Sequence, residues 1–217
     1  MDIIPGLIVI NLFVNSNITP HITMYEALFQ YIETRSGMQL TEEEQALIES
    51  KFRHKTLRKR QYFLQEGDIC KNVAFIIKGA ARMFSIDEKG HEHIIRFGLE
   101  TWWLGDHESF NLLTPSRYHI EMLEDSDLLV ITPAQAYELR DRVKGFDLTI
   151  KAMDRQLAVA TQNRIHAALS MTAEERYDDL AHTYPQFLQR FPQNMIASYL
   201  GITPETLSRI RKNITNK

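Results

Sequence analysis

Between Gln61 and Ile131 the hydrophobic pattern runs with the period of a strand, and this stretch limits the fold more than any other. Residues 62–64, 73–77, 81–86, 93–97, 119–123 and 128–131 form short apolar or alternating runs, rich in β-branched and aromatic side chains. Gly67-Asp68, Gly79, residues 87–90, Gly98 and Thr114-Pro115 separate them. Short strands at a spacing of about ten residues, with turn residues between, predict an antiparallel sandwich or barrel, here a jelly roll. Neither a βαβ alternation nor a phosphate-loop glycine pattern occurs, which argues against a nucleotide-hydrolysing α/β domain.

On either side the period is helical. Residues 24–34 read as an amphipathic helix. Thr41 followed by Glu44 is a capping box opening a helix to about Lys51, with Leu40, Ala46, Leu47 and Ile48 on its apolar side. The basic run 51–60 (KFRHKTLRKR) reads as solvated chain leading into a strand, because Phe52 and Leu57 interrupt the charge. After Thr132-Pro133 a short helix runs to about Val143, and Gly145 is expected to break it. Residues 146–169 then continue without Gly or Pro, and Ile150, Met153, Leu157, Ala160 and Thr161 recur at spacings of three and four. A long helix with so narrow an apolar stripe predicts pairing with a copy of itself, its first turns packing on the sandwich. Thr172 and Glu175 form a second capping box, and Pro185 is expected to stop or kink the helix they begin.

The stretch 196–212 (IASYLGITPETLSRIRK) has the layout of a helix-turn-helix. Ile196, Tyr199 and Leu200 share one helix face. Gly201 can take the positive φ that ends a helix, Thr203 is a good N-cap, and Pro204 suits the first helical position. The second helix turns Leu207 and Ile210 inward and Glu205, Ser208, Arg209 and Lys212 outward. Glu205, Ser208 and Arg209 lie at i, i+3, i+4 and can reach base edges in the major groove. Arg211 and Lys212 are expected on phosphates, together with Thr203 or Thr206. The bland alternative is a helical hairpin with a solvated charged face.

Charge supports the sharper reading. The whole chain carries −3, but residues 190–217 hold five basic side chains (Arg190, Arg209, Arg211, Lys212, Lys217) against one acid, Glu205. A local basic end on an acidic body suits a DNA reader, since phosphate contacts supply most of the affinity. The single cysteine, Cys70, excludes internal disulfides and a four-cysteine iron–sulfur cluster within one chain, and suits a reducing cytoplasm. His91, His93, His107 and His119 read as satisfied or exposed rather than as metal ligands, and no nucleophile–base arrangement argues for an enzyme. Residues 6–14 (GLIVINLFV) are too short to cross a bilayer that needs about twenty residues, and no Lys or Arg precedes them as in a signal peptide. Residues 1–23 are therefore expected to be an extension, packed or poorly ordered, with Met24 as an alternative start and a membrane segment the least favoured reading.

Jelly roll, long helix and C-terminal helix-turn-helix, in that order, resemble the Crp–Fnr family over about residues 41–212. The fragments that carry the resemblance are Gly67-Asp68 entering the strand pair that ends at Gly79, the LGD of residues 104–106, and IASYLGITPETLSRIRK. Trp102-Trp103, Asp106, Ser109-Phe110 and the short approach at residues 190–193 look most like members from Bacteroidetes-type bacteria. The resemblance implies an α+β chain. It comprises an extension (1–23), an effector-sensing β-roll with flanking helices (24–145), a dimerisation helix (146–170) and a winged-helix-type DNA-binding domain (171–217). It implies a homodimeric transcription factor on a pseudo-palindromic operator with TTGAT-like half-sites, and RNA polymerase as a candidate partner.

Effector candidates by that resemblance are Gly105, Asp106, Ser116 and Arg117. Two departures stand out. Asp106 replaces the Glu that holds the ribose in cyclic-nucleotide binders. Arg117 falls one residue from the position that pairs with the cyclic phosphate, with bulky Tyr118 where a small residue belongs. A one-residue slip reverses side-chain direction on an extended segment, and a phosphodiester without its Arg loses bonds worth about 1.5–3 kcal/mol each. The expected effector is therefore something other than cyclic AMP, or none. The alternatives are a cyclic-AMP-responsive regulator and a ligand-binding module with vestigial DNA binding. The cysteine cluster of the oxygen-sensing fumarate–nitrate regulators is missing, so that mechanism is not expected.

Overall fold

The computed structural model describes residues 24–215; the readings on residues 1–23 lie outside them. Two helices lead in, α1 (Met24–Ser36) and α2 (Glu42–Lys51). The capping box at α2 closes both ways: Glu44 N donates to Thr41 Oγ1 (3.2 Å) and Thr41 N donates to Glu44 Oε2 (2.9 Å). Leu40 and Ile48 are buried, but Ala46 is exposed, so the apolar side is narrower than expected.

Eight strands follow among the described residues: β1 (Arg53–Leu57), β2 (Tyr62–Leu64), β3 (Val73–Lys78), β4 (Ala81–Ile86), β5 (Glu92–Gly98), β6 (Trp103–Leu104), β7 (His119–Met122) and β8 (Ser126–Ile131). They form two antiparallel four-stranded sheets, ordered β1-β8-β3-β6 and β2-β7-β4-β5. This is the expected jelly roll. Ile76, Met83, Ile120, Met122 and Leu128 fill its interior. Much of the basic run is not loose chain. Its middle is β1, an edge strand paired with β8 from Arg53↔Val130 to Leu57↔Ser126. Charged side chains are tolerated there because only Leu57 turns inward, and charge on an edge discourages further pairing.

Beyond the roll come α4 (Pro133–Arg142) and α5 (Lys144–Ser170). The break falls at Val143, and Gly145 lies buried inside the first turn of α5. A Cβ at Gly145 would sit at ordinary contact distance, 3.4–3.6 Å, from Ser36, Leu40 and Ile32, so the glycine neither ends a helix nor is required by the packing. Phe146 and Thr149 anchor the same turns, with Thr149 Oγ1 donating to Gly145 O at 2.8 Å. Farther along, the helix leaves the roll's core, and Val159, Ile165 and Leu169 stand 56%, 57% and 83% exposed.

Four helices complete the chain: α6 (Ala173–Thr183), α7 (Pro185–Arg190), α8 (Gln193–Leu200) and α9 (Pro204–Thr215). The strands of a wing are not among the described residues. This helical unit packs back on the roll. Phe97 of β5 stacks on Phe191 (4.0 Å between centroids) and meets Phe187 edge-on (5.2 Å). Ser198 of α8 accepts from Ile94 N (3.0 Å) and donates to Glu92 O (2.9 Å), along the free edge of β5. Arg164 of α5 donates to the carbonyls of Ile94 (3.0 Å), Ile95 and Tyr199 (3.2 Å), and its guanidinium lies 4.3 Å from the Tyr199 ring centroid.

Candidate nucleic-acid interface and effector loop

The helix-turn-helix forms as the residues dictate. Gly201 takes φ +67°, and Ile202 N donates to Ala197 O (3.0 Å) across the turn. Thr203 caps α9, its Oγ1 accepting from Thr206 N (3.2 Å). Ile196, Ala197, Leu200, Leu207 and Ile210 are buried between the helices. That fixes the opposite face of α9. Glu205, Ser208, Arg209, Arg211 and Lys212 are exposed there, and Thr206 is intermediate. The side chains of Ser208, Arg209 and Lys212 make no hydrogen bond or ion pair among the described residues. The hydrogen bond from its own backbone, and then that from Thr203, hold the Glu205 carboxyl below its ordinary range, so it meets a partner as an acceptor.

One basic residue counted toward this end belongs elsewhere. Arg190 of α7 grips Glu100 (2.6 and 3.0 Å) and Glu124 (2.6 and 3.1 Å), both on loops of the roll. Hydrogen bonds to Glu100 and then Glu124 push its pKa above the usual arginine value. Burial tends to raise the Glu100 carboxyl, but the bonds from Arg190, its own backbone and Gly79 together outweigh it and the net direction is down. Arg190 is therefore an interdomain fastener, unavailable for phosphate. Its partners lie 90 and 66 residues away in sequence, beyond any local pattern.

The effector loop is organised around α3 (His107–Leu112), a helix too short to have left a periodic signal. Gly105, with φ +154°, sits where a Cβ would lie 2.6 Å from Val73 Cγ1. Asp106 is buried and caps α3, its Oδ1 accepting from Glu108 N (3.1 Å) and Ser109 N (3.4 Å). Its Oδ2 accepts from the buried Ser116 Oγ (2.7 Å), which in turn accepts from Tyr118 N (3.1 Å). Gly105, Asp106 and Ser116 thus come together. Arg117 does not join them: its side chain is 69% exposed and reaches only Glu108, at 3.5 Å.

The remaining candidates are structurally occupied. His91 (3.3 Å) and His93 (3.0 Å) both bond Asp87 Oδ2, and the bond from His93 is the main reason the Asp87 carboxyl lies well below its ordinary value. His107 lies 3.8 Å from Asp154, and His119 stacks on Phe84. Cys70 is buried, and burial pushes its thiol up, away from thiolate.

A double-sheet roll joined through a long helix to a helix-turn-helix is the architecture of an effector-linked transcriptional regulator. Residues 54–142 match the cyclic nucleotide-binding domain family. The chain is 27% identical over 169 residues to the fumarate and nitrate reduction regulatory protein of Yersinia pestis, covering 73% of this chain and 67% of that one. It is 25% identical over 171 residues to the regulatory protein HlyX of Actinobacillus pleuropneumoniae, covering 73% and 70%. Its fold is similar to FixK2 from Bradyrhizobium japonicum, with a TM-score of 0.62 at 19% identity over 76% of this chain and 85% of that one. These relatives are Crp/Fnr transcriptional regulators, and the chain is similar to them over about three quarters of its length.

Proposed function

We propose that the protein reads duplex DNA as a homodimer, with α9 of each subunit in a major groove of a pseudo-palindromic operator. The observation that carries this is the face of α9, where Ser208 and Arg209 stand exposed without an intramolecular partner beside an ionised Glu205. Glu205 accepts from a cytosine amino group, Arg209 donates to guanine, and Ser208 adapts to either. Arg211, Lys212, Thr203 and Thr206 serve the phosphates. The half-sites are TTGAT-like, with centres about 34 Å apart, one helical turn.

The second copy pairs through α5. Ile165 and Leu169 offer it exposed apolar surface beyond Ala160 and Thr161, which are exposed at the outer end of the stripe. The effector is not cyclic AMP. Asp106 and Ser116 use their polar groups on each other and on α3, and Arg117 lies outside their grip. The protein acts in the cytoplasm, where DNA and RNA polymerase are available to it. No helix among the described residues is long and apolar enough to cross a membrane.

The test is a selection from randomised duplex DNA with purified full-length protein at fixed salt, with and without cyclic AMP. A palindromic TTGAT-like motif in both conditions is expected. A motif that appears only with cyclic AMP would overturn the effector assignment, and no motif in either would overturn the DNA-reading one.

A further inference from the structure

One guanidinium joins three parts of the molecule that lie far apart in sequence. Arg164 sits in the outer half of α5, one residue before the exposed Ile165, and is itself half-buried. It donates to the carbonyls of Ile94 (3.0 Å) and Ile95 on β5, and to that of Tyr199 (3.2 Å) in the last turn of α8. Its charge also lies 4.3 Å from the Tyr199 ring centroid, a cation–π distance. The seat on β5 suits a forked donor. The register between β4 and β5 shifts after Met83, pairing Met83 with Arg96 and Phe84 with Ile94 and leaving Ile95 without a partner. Successive carbonyls of a regular strand point to opposite edges, but this bulge leaves those of Ile94 and Ile95 both open to one guanidinium. The Tyr199 carbonyl is among the last four of its helix, which have no intrahelical donor.

The bond to Tyr199 is a shortcut. Along the chain Arg164 and Tyr199 are 35 residues apart, by way of α6 and α7; across the bond they touch, and Gly201 and Thr203 then lead at once into α9. We propose that Arg164 is a positioning residue: it fixes the separation and angle of the two α9 helices in the dimer, and so the half-site spacing that the protein accepts. This rests on the reading of the chain as a DNA-binding homodimer joined through α5. Arg164 neighbours Ile165 on the helix that carries the dimer axis, so whatever it grips is held in register with that axis. Ser198 and Arg190 tie the DNA-reading unit to the roll; of the three, Arg164 alone ties it to α5. A spacer longer by one base pair moves a half-site by about 3.4 Å and turns it by about 35°. A unit held at Arg164 follows that change only by breaking its bonds, whereas a unit held by its connecting chain follows it freely.

The experiment compares full-length wild type, Arg164→Gln and Arg164→Lys in two measurements. The first is amide hydrogen exchange at Ile94, whose N–H goes to Ser198 Oγ and not to Arg164. In Arg164→Gln it should quicken about tenfold or more, while the amide of the buried Ile120 keeps its wild-type rate. The second is gel-shift affinity for the palindrome recovered by the duplex selection, at its selected spacing and with one base pair added or removed. The wild type should lose about thirtyfold or more at the altered spacings and Arg164→Gln about fivefold or less, with half-site base preference unchanged. A loss of stability alone would weaken every spacing alike and leave the ratio between them as it was. Arg164→Lys, a point charge that does not fork two carbonyls, should fall between the other two, and it replaces the Gln variant if that chain does not fold. The proposal is overturned if Ile94 exchanges in the variant as in the wild type, if the variant discriminates spacings as the wild type does, or if the wild type accepts all spacings alike. A wild type that selects no palindrome overturns the DNA-reading function and this role with it; a wild type and a variant that discriminate equally remove the role of Arg164 alone.

Discussion

On α9, Ser208 and Arg209 face outward and bond nothing among the described residues; in the loop from Gly105 to Tyr118, Asp106, Ser109 and Ser116 are buried and bond one another or the backbone. Both stretches follow a glycine and open a helix with a polar cap. Their side chains are chemically alike, yet one set is left for a partner and the other completes the fold. Residue type alone does not separate recognition from structure; the number of bonds already made does. By that criterion the helix-turn-helix is built to meet something outside the chain, and the former phosphate loop is not.

The widest gap between the two regions should appear in stability. Asp106→Ala removes the α3 cap and leaves Ser116 without its acceptor, and should cost about 2–4 kcal/mol in urea unfolding. A loss under 1 kcal/mol would put Asp106 in the same class as the α9 residues. Arg190→Gln should come next, at about 2–3 kcal/mol, since it strands two carboxylates. Its pH dependence has a defined sign. Glu100 titrates below its ordinary 4.5 in the folded chain, so its contribution is full above that value and is lost as pH falls through the folded pKa. The wild-type advantage over Arg190→Gln should thus be constant near neutrality and shrink in acid below about pH 4.5.

Arg209→Ala should do the reverse of Asp106→Ala. Stability should stay within about 0.5 kcal/mol, while operator affinity falls by about 1–3 kcal/mol with relaxed base preference in a gel-shift series. Lys212→Ala should weaken all sequences alike and reduce the salt slope by about one. The smallest effect belongs to Arg117→Ala. Its single exposed pairing is long, and both unfolding and operator binding should change by less than about 0.5 kcal/mol. A larger loss of operator binding would show that Arg117 still serves an effector.

Local chemistry was readable before any coordinates. The capping boxes at Thr41 and Thr172, the positive φ at Gly201 and the Thr203 cap all involve residues within a few positions of one another, and all form. What could not be read depends on distance along the chain. Arg190 counts toward the basic end in sequence because its carboxylate partners come from loops far upstream. Gly145 looked like a helix breaker, but the turn it lies in is buried against α1, a packing event that leaves no local pattern. β6 has two residues and α3 six, too few to show a period.

The seat of Ser198 on β5 has a consequence for how the protein fails. β5 ends its sheet, and the outward N–H of Ile94 and carbonyls of Glu92 and Ile94 are capped by Ser198 and Arg164. An uncovered, largely apolar edge strand is a template for adding a strand from another molecule. The DNA-reading unit therefore acts as the roll's guard against aggregation, and a fragment cut after the long helix would lose Ser198 and present a sticky sheet border to its neighbours. Any swing that carries α8 away from β5 must either be brief or hand that border to another cover.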